Sequence, residues 1–124
     1  MPQILIVDDE IDDCDAMAEI LGDCGYATLK AHTVDAALAI LEETTPDIIL
    51  SDTMMPAVDG GVLMRIARGD RRLRKVPFVT VSAKAMARDK AEALATGASG
   101  FVPKPFTAVD LLAEVMRQLA RKAA

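Results

Sequence analysis

The sequence has few aromatic residues: no tryptophan, one tyrosine and three phenylalanines in 124 residues. Aromatic surfaces on which nucleic-acid bases could stack are therefore not expected. The sequence also lacks an excess of positive charge, since 14 lysines and arginines face 19 aspartates and glutamates, for a formal net charge of −5. Because nucleic-acid phosphates require a cationic surface, we expect no direct binding to DNA or RNA.

Long hydrophobic runs are missing as well. No run approaches the roughly 20 residues that a membrane helix needs, and because Asp8 comes so early we expect no signal peptide. The two cysteines, Cys14 and Cys24, lack metal-site spacing, which favours a reducing compartment; we expect a surface thiol and a buried small residue, respectively. With 52% hydrophobic residues, the chain is predicted to form one cytoplasmic domain over 1–124.

Short apolar runs alternate with segments of helical spacing along the chain. Strands are predicted at 3–7, 26–31, 47–51, 76–81 and 99–102. A first helix is expected after the acidic triplet 8–10, ending near Gly25, and a second is expected to be capped by Thr33. Further helices are predicted at about 62–68, 84–95 and 108–121. The predicted core-facing residues of the first, second and final helices are Ala16, Met17, Ile20, Leu21 and Cys24, then Val34, Ala37, Leu38 and Leu41, then Val109, Leu112, Val115, Met116 and Leu119.

This alternation of five strands with five helices predicts an α/β fold. The strands should be parallel, because right-handed crossover helices must cover both faces of the sheet. We therefore expect a three-layer, doubly wound sandwich of flavodoxin-like topology, with strand order 2-1-3-4-5.

Polar residues gather where the predicted strands end. Asp8 and Asp9 follow the first strand, Asp52 the third, Ser82 the fourth and Lys104 the fifth. In an open parallel sheet, ligands bind beyond these carboxyl ends. Three neighbouring carboxylates repel one another unless a cation lies between them, and Mg²⁺ is the cation that oxygen ligands of this kind favour. The sequence thus predicts a magnesium site at this edge.

These side chains are suited to phosphoryl transfer, which depends mainly on positioning and charge neutralisation. Asp52, at the centre of the edge, is the expected acceptor, since a carboxylate can attack a phosphoryl group. Asp9 would hold the metal directly and Asp8 would hold it through water.

The remaining residues of the edge have supporting roles in this hypothesis. Lys104 would balance the charge of the phosphoryl oxygens, and the Ser82 hydroxyl would donate a hydrogen bond to one of them. The small Ala83 would leave the pocket open. We expect Lys104 to matter for transfer or signalling more than for folding, because a long cation that is exposed at a strand end contributes only ~0–1 kcal/mol to stability. His32, the single histidine, is expected to be an exposed loop residue away from the acidic cluster.

Two other functions on related sheets fit less well. An aspartate-nucleophile phosphatase of the haloacid dehalogenase type needs a second acid two residues after the nucleophile, whereas Asp52 is followed by Thr53 and Met54. A flavodoxin-type flavin module needs hydroxyls and amides in its first loop, where Asp8 and Asp9 would repel phosphate. A constitutive interaction module with the same fold stays open as an alternative.

Four segments in order, ILIVDDE, DIILSDTMMPAVDG, VPFVTVSA and GFVPKPF, resemble the receiver domain of two-component response regulators, and the resemblance covers essentially the whole chain. It implies that Asp52 accepts a phosphoryl group from a histidine kinase or a histidine phosphotransfer protein. It also implies Mg²⁺ held by Asp8, Asp9, Asp52 and the main-chain carbonyl of Met54. Such a domain is a signalling module that catalyses only its own phosphorylation and dephosphorylation.

The same resemblance implies a switch. Ser82 and Lys104 match the family's phosphate-binding hydroxyl and lysine, Phe101 matches its mobile aromatic residue, and the Lys104-Pro105 bond is implied to be cis. Phosphorylation would draw Ser82 inward, and Phe101 would follow it. The face formed by the predicted fourth helix, the fifth strand and the final helix would then change its preference for a downstream protein or output domain, or for a second copy of the chain.

Overall fold

The computed structural model describes residues 1–52, 60–83 and 98–123. The strands are β1 (Gln3–Val7), β2 (Ala27–Ala31), β3 (Ile48–Asp52), β4 (Phe78–Ser82) and β5 (Gly100–Pro103), and the helices are α1 (Ile11–Asp23), α2 (Val34–Glu43), α3 (Gly60–Gly69) and the C-terminal helix (Ala108–Ala123). All five predicted strands are present within two residues of their expected bounds. The predicted helix at 84–95 lies outside the described residues. No helix in the described part of the chain is both long and apolar enough to cross a bilayer.

The five strands form one parallel sheet in the order β2-β1-β3-β4-β5, which confirms the predicted fold class and strand order. Every residue of β3 and β4 is buried, as the apolar character of these strands predicts for a sheet covered on both faces.

Alternate residues of the strands face two separate hydrophobic cores. In β1, Leu5 and Val7 pack with α2 and α3, whereas Ile4 and Ile6 pack with α1 and the C-terminal helix. Each fully buried side chain of this size stabilises the fold by roughly 1.5–3 kcal/mol. The helix residues of the first core are Val34, Ala37, Leu41, Leu63, Met64 and Ala67, and those of the second are Cys14, Met17, Leu21, Leu111 and Val115. The three predicted layers are therefore present.

Two predicted helix ends are confirmed by their hydrogen bonds. At the start of α2, the Thr33 hydroxyl accepts a hydrogen bond from the Ala36 N–H at 3.0 Å, as an N-cap does. After α1, Gly25 has φ +89°, a conformation that favours glycine, and the Tyr26 N–H donates to the Leu21 carbonyl at 3.1 Å. These two ends determine how the chain enters and leaves β2.

The predicted core face of the C-terminal helix is partly wrong. Val109 and Met116 are 76% and 60% exposed, although both were expected to be buried. They are seven residues apart and so share the outward face of the helix. The buried line instead contains Leu111, Val115 and the polar Gln118.

A buried polar group explains how this helix is rotated. Gln118 donates hydrogen bonds to the Ser99 carbonyl and to Glu114 Oε1, each at 3.0 Å, and Arg117 forms an ion pair with Glu114. Gly100 provides the room, because a Cβ there would lie 2.7 Å from Gln118 Nε2. With these bonds satisfied, Glu114 and Gln118 are tolerated in the layer between helix and sheet.

The cysteine prediction is reversed by the structure. Cys14 is fully buried, whereas Cys24 is exposed because α1 ends at Asp23 and Cys24 lies just beyond it. Ala16, also expected on the buried face, is exposed. Burial raises the pKa of the Cys14 thiol to about 11, so it stays protonated at neutral pH.

Candidate functional site

The carboxyl ends of the central strands bring the predicted site residues to one edge of the sheet. Asp8 follows β1, Asp52 ends β3 and Ser82 ends β4, and all three residues are buried. The strands are neighbours in the sheet, and the register pairs Ser82 with Pro103 of β5, directly before Lys104. From this edge the chain passes into α1. Just before that helix, the Glu10 N–H donates a hydrogen bond to Asp8 Oδ1 at 2.9 Å.

Lys104 lies at the centre of the site and contacts three carboxylates. Its Nζ is 2.8 Å from Asp8 Oδ2, 3.0 Å from Asp13 Oδ2 and 3.1 Å from Asp52 Oδ2. The main chain of Lys104 is also hydrogen-bonded, since its N–H donates to the Ser82 carbonyl at 2.9 Å. The Lys104-Pro105 bond is cis, as the family resemblance implied.

The expectation that Lys104 is exposed is wrong. Its side chain is only 11% exposed, while those of Asp8 and Asp52 are 0% and 4% exposed. The lysine folds over the end of β4 toward β3, because buried carboxylates attract the cation strongly in a low-dielectric environment. Lys104 therefore contributes to the structure of the site.

The electrostatics of the cluster follow from burial and from this shared cation. Burial raises the pKa of Asp8 above its ordinary value of 3.8, and the hydrogen bonds from Lys104 and the Glu10 N–H offset this only in part. For Lys104, burial alone would lower the pKa, but its hydrogen bonds to the three carboxylates outweigh burial and raise it above 10.5. The ammonium is therefore charged throughout the neutral range.

The acidic residues present a donor set that suits a hard divalent cation. Asp8, Asp9 and Asp52 each offer a carboxylate oxygen, and these atoms lie within 4.8 Å of one another. Oxygen donors at this spacing are the ligands that Mg²⁺ takes in proteins. Met54, implied as a main-chain ligand, lies outside the described residues.

The remaining predicted residues lie around this cluster. Ser82 is 2% exposed and Ala83 is exposed. Phe101 is half-buried on β5, where it pairs in register with Thr80. The buried Thr80 hydroxyl has no hydrogen-bond partner among residues 1–52, 60–83 and 98–123. Phe101 also lines a surface cavity of about 300 Å³ with residues of the C-terminal helix, including Glu114.

Two residues of this region were missed or misplaced by the sequence interpretation. Asp13, in the first turn of α1, was not predicted to join the site, although it contacts Lys104 and its charge raises the pKa of the nearby Glu10. The available signal was spacing: Asp13 is four residues before Met17 and eight before Leu21, two predicted core-facing residues, so it lies on the sheet-facing side of α1 at its first turn. His32 is half-buried rather than exposed, and its Nδ1 lies 3.1 Å from the Asp8 carbonyl oxygen.

Comparisons with known proteins identify the same type of domain. The family model of the response regulator receiver domain matches residues 4–116. The phosphate regulon transcriptional regulatory protein PhoB of Pseudomonas aeruginosa is 34% identical over 118 residues, covering 95% of this chain and 52% of that protein. The DNA-binding dual master transcriptional regulator RpaA of Synechocystis is 32% identical over 121 residues, covering 98% of this chain and 50% of that protein. The chain thus spans about half the length of these curated relatives.

Solved structures agree with this match. The chemotaxis response regulator CheY4 of Vibrio cholerae superposes with a TM-score of 0.90 at 30% identity, covering 96% of this chain and 99% of that one. The signal receiver domain of a signal transduction histidine kinase from Syntrophus aciditrophicus superposes with a TM-score of 0.87 at 34% identity, covering 98% and 92%.

Proposed function

This chain belongs to the response regulator receiver domain family, and from that premise we propose that it is a phosphorylation-controlled switch in a two-component pathway. Asp52 is the proposed phosphoacceptor, and the donor is the phosphohistidine of a sensor kinase or of a histidine phosphotransfer protein. The observation that carries the proposal is the position of the Asp52 carboxylate, which is buried at the sheet edge, 3.1 Å from the Lys104 ammonium and beside Asp8 and Asp9.

The proposed transfer is a displacement at phosphorus. A carboxylate oxygen of Asp52 attacks the phosphorus atom, an O–P bond forms, and the P–N bond to the donor imidazole breaks. The imidazole leaves with the electron pair of that bond and is neutralised by a proton, while Asp52 becomes an acyl phosphate. The charge on the phosphoryl oxygens is what the surrounding side chains must stabilise.

The chain's own residues supply part of that stabilisation. Lys104, whose Nζ is 3.1 Å from Asp52 Oδ2, is the proposed donor to a phosphoryl oxygen on Asp52, and the Ser82 hydroxyl is the proposed second donor. Asp8, Asp9 and Asp52 would hold Mg²⁺, which when bound supplies positive charge that offsets the repulsion between the carboxylates and the phosphoryl oxygens.

The proposed output involves β5 and the C-terminal helix. If Ser82 moves toward the phosphoryl group, it frees space on the side of β4 that faces Phe101, which is already half-buried. Movement of this ring would change the surface that also contains Glu114 and Arg117. We propose that this face, together with residues 84–95, recruits a downstream protein, an output domain or a second copy of the chain.

We place this activity in the cytoplasm. We also propose no direct nucleic-acid contact by this chain, because its net charge is −5. PhoB and RpaA are named as transcriptional regulators, and this chain matches about half of each.

Intact-mass spectrometry tests the proposal. Incubation with acetyl phosphate and Mg²⁺ should add one phosphoryl group to the wild-type protein and none to Asp52→Asn. Asp35→Asn, which removes an exposed carboxylate of α2, is the control and should be labelled like the wild type. Equal labelling of wild type and Asp52→Asn would refute the assignment.

A further inference from the structure

Among residues 1–52, 60–83 and 98–123, Asp13 is the one residue in contact with the Lys104 ammonium that the phosphorylation scheme does not use. A lysine ammonium has three N–H donors. In this structure Lys104 has three carboxylate partners, Asp8, Asp13 and Asp52, at 2.8–3.1 Å. All of its donors are therefore engaged before any phosphoryl group arrives.

Asp13 differs from the other two partners in burial and in position. Its side chain is 35% exposed, compared with 0% for Asp8 and 4% for Asp52. Among the described residues, the carboxylates close enough to share a cation are Asp8, Asp9 and Asp52, and Asp13 is outside that set. Its contact with the site is therefore through Lys104.

We propose that Asp13 is a positioning residue that retains one N–H of Lys104 in the unphosphorylated protein and competes with the incoming phosphoryl oxygens for it. This inference rests on the proposed phosphorylation of Asp52 and concerns its regulation. A phosphoryl group on Asp52 adds oxygen acceptors near an ammonium whose donors are already engaged, so the Asp13 contact opposes the new bond. The negative charge of Asp13 also repels an anionic phosphodonor.

Removing Asp13 should therefore accelerate phosphorylation. We expect Asp13→Ala to be labelled by acetyl phosphate roughly fivefold faster than wild type, the effect of one partly exposed ion pair on a rate. The assay uses saturating Mg²⁺, because losing a carboxylate could also weaken attraction of the metal. Asp12→Ala is the matched control: Asp12 is the preceding residue of α1, carries the same charge, is exposed and is not one of the three carboxylates that Lys104 contacts.

A double-mutant cycle shows whether the effect passes through the lysine. In a Lys104→Met background, which keeps an unbranched side chain, Asp13→Ala should change the rate no more than Asp12→Ala does. A readout that needs no phosphorylation accompanies it: acetylation of the Lys104 amine by an acylating reagent, followed by mass spectrometry, should be faster in Asp13→Ala than in Asp12→Ala. If Lys104→Met does not fold, the acetylation rate alone tests whether the effect of Asp13 passes through Lys104.

The outcomes separate this inference from the proposed function. If wild type is labelled at Asp52 but Asp13→Ala matches Asp12→Ala or is slower than wild type, competition by Asp13 is refuted and phosphorylation of Asp52 stands. Competition by Asp13 is also refuted, and phosphorylation of Asp52 also stands, if Asp13→Ala still accelerates labelling in the Lys104→Met background. An equal rate of Lys104 acetylation in Asp13→Ala and Asp12→Ala has the same meaning. If neither wild type nor Asp13→Ala is labelled at Asp52, the proposed function fails, and this inference fails with it.

Discussion

The ammonium of Lys104 donates to the carboxylate of Asp52 at 3.1 Å although the two residues lie at the ends of strands that are not neighbours. Lys104 follows β5 and Asp52 ends β3, so the lysine side chain passes over the carboxyl end of β4. The contact joins residues 52 positions apart and exists only when the sheet has formed. The site is therefore a product of the tertiary fold, and its stability and chemistry are linked.

Lys104→Ala should destabilise the protein substantially in the absence of metal. The change leaves Asp8, which is fully buried, without its cation, and breaking such a pair costs about 3 kcal/mol, near the lower end of the range because Lys104 keeps 11% exposure. Urea unfolding measures the loss. Lys30→Ala is the control, since Lys30 pairs with Asp15 at the surface and should lose less than about 1 kcal/mol. A loss in Lys104→Ala no larger than in Lys30→Ala would contradict the structural role.

Stability should depend on the ionisation of Asp8. In the unfolded chain this carboxyl titrates near 3.8, and in the folded protein its pKa is higher because it is buried. Between these two pH values the folded protein binds more protons, so the contribution of Asp8 to the free energy of unfolding falls as pH rises.

Urea unfolding without Mg²⁺, at pH steps upward from 3.8, isolates this contribution. The free energy of unfolding of wild type minus that of Asp8→Asn should decrease through the interval. Asp23→Asn, which removes an exposed carboxylate outside the site, is the control for the change in net charge. A difference for Asp8→Asn that rises with pH would reverse the sign and refute the assignment.

Magnesium should stabilise the folded protein through the acidic cluster. A ligand that binds only the folded state adds RT ln(1 + [L]/Kd), which is about 1.4 kcal/mol at ten times Kd. Thermal melts should show this increase for wild type and for Asp12→Ala, and little or none for Asp9→Ala. An undiminished shift in Asp9→Ala would place the metal elsewhere.

Two glycine substitutions should have opposite effects. Gly100→Ala should destabilise, because its Cβ would approach the Glu114 carboxylate and the Gln118 amide and displace their buried hydrogen bonds. Gly22→Ala, near the end of α1, has no neighbour within 4 Å and should stabilise by about 0.5–1 kcal/mol. Thermal or urea unfolding distinguishes them. A neutral Gly100→Ala would mean that Glu114 and Gln118 repack without loss.

The order of the strands and most of the site could be predicted because each depends on local pattern. Doubly buried strands appear as short apolar runs, and their carboxyl ends must share one edge, so Asp8, Asp52, Ser82 and Lys104 could be placed together. The sequence pattern does not predict the direction in which a long side chain points. Lys104 was expected to be exposed because its burial depends on acceptors that three different segments provide.

The rotation of the C-terminal helix could likewise not be predicted from the hydrophobic pattern. Val109 and Met116 repeat at a helical interval, as Leu111 and Val115 do, so hydrophobicity alone offered two overlapping faces. Gly100 determines which of these faces is buried, because the absence of a side chain there lets Glu114 and Gln118 approach β5. That is a contact between distant segments, and sequence periodicity carries no information about it.

The most direct test of the central claim is to locate the phosphoryl group. Wild-type protein is incubated with acetyl phosphate and Mg²⁺, the aspartyl phosphate is reduced with borohydride, and the modified residue is identified by tandem mass spectrometry. We predict modification at Asp52, with none at the other carboxylates of the site. Modification at Asp8, Asp9 or Asp13 in place of Asp52 would contradict the account.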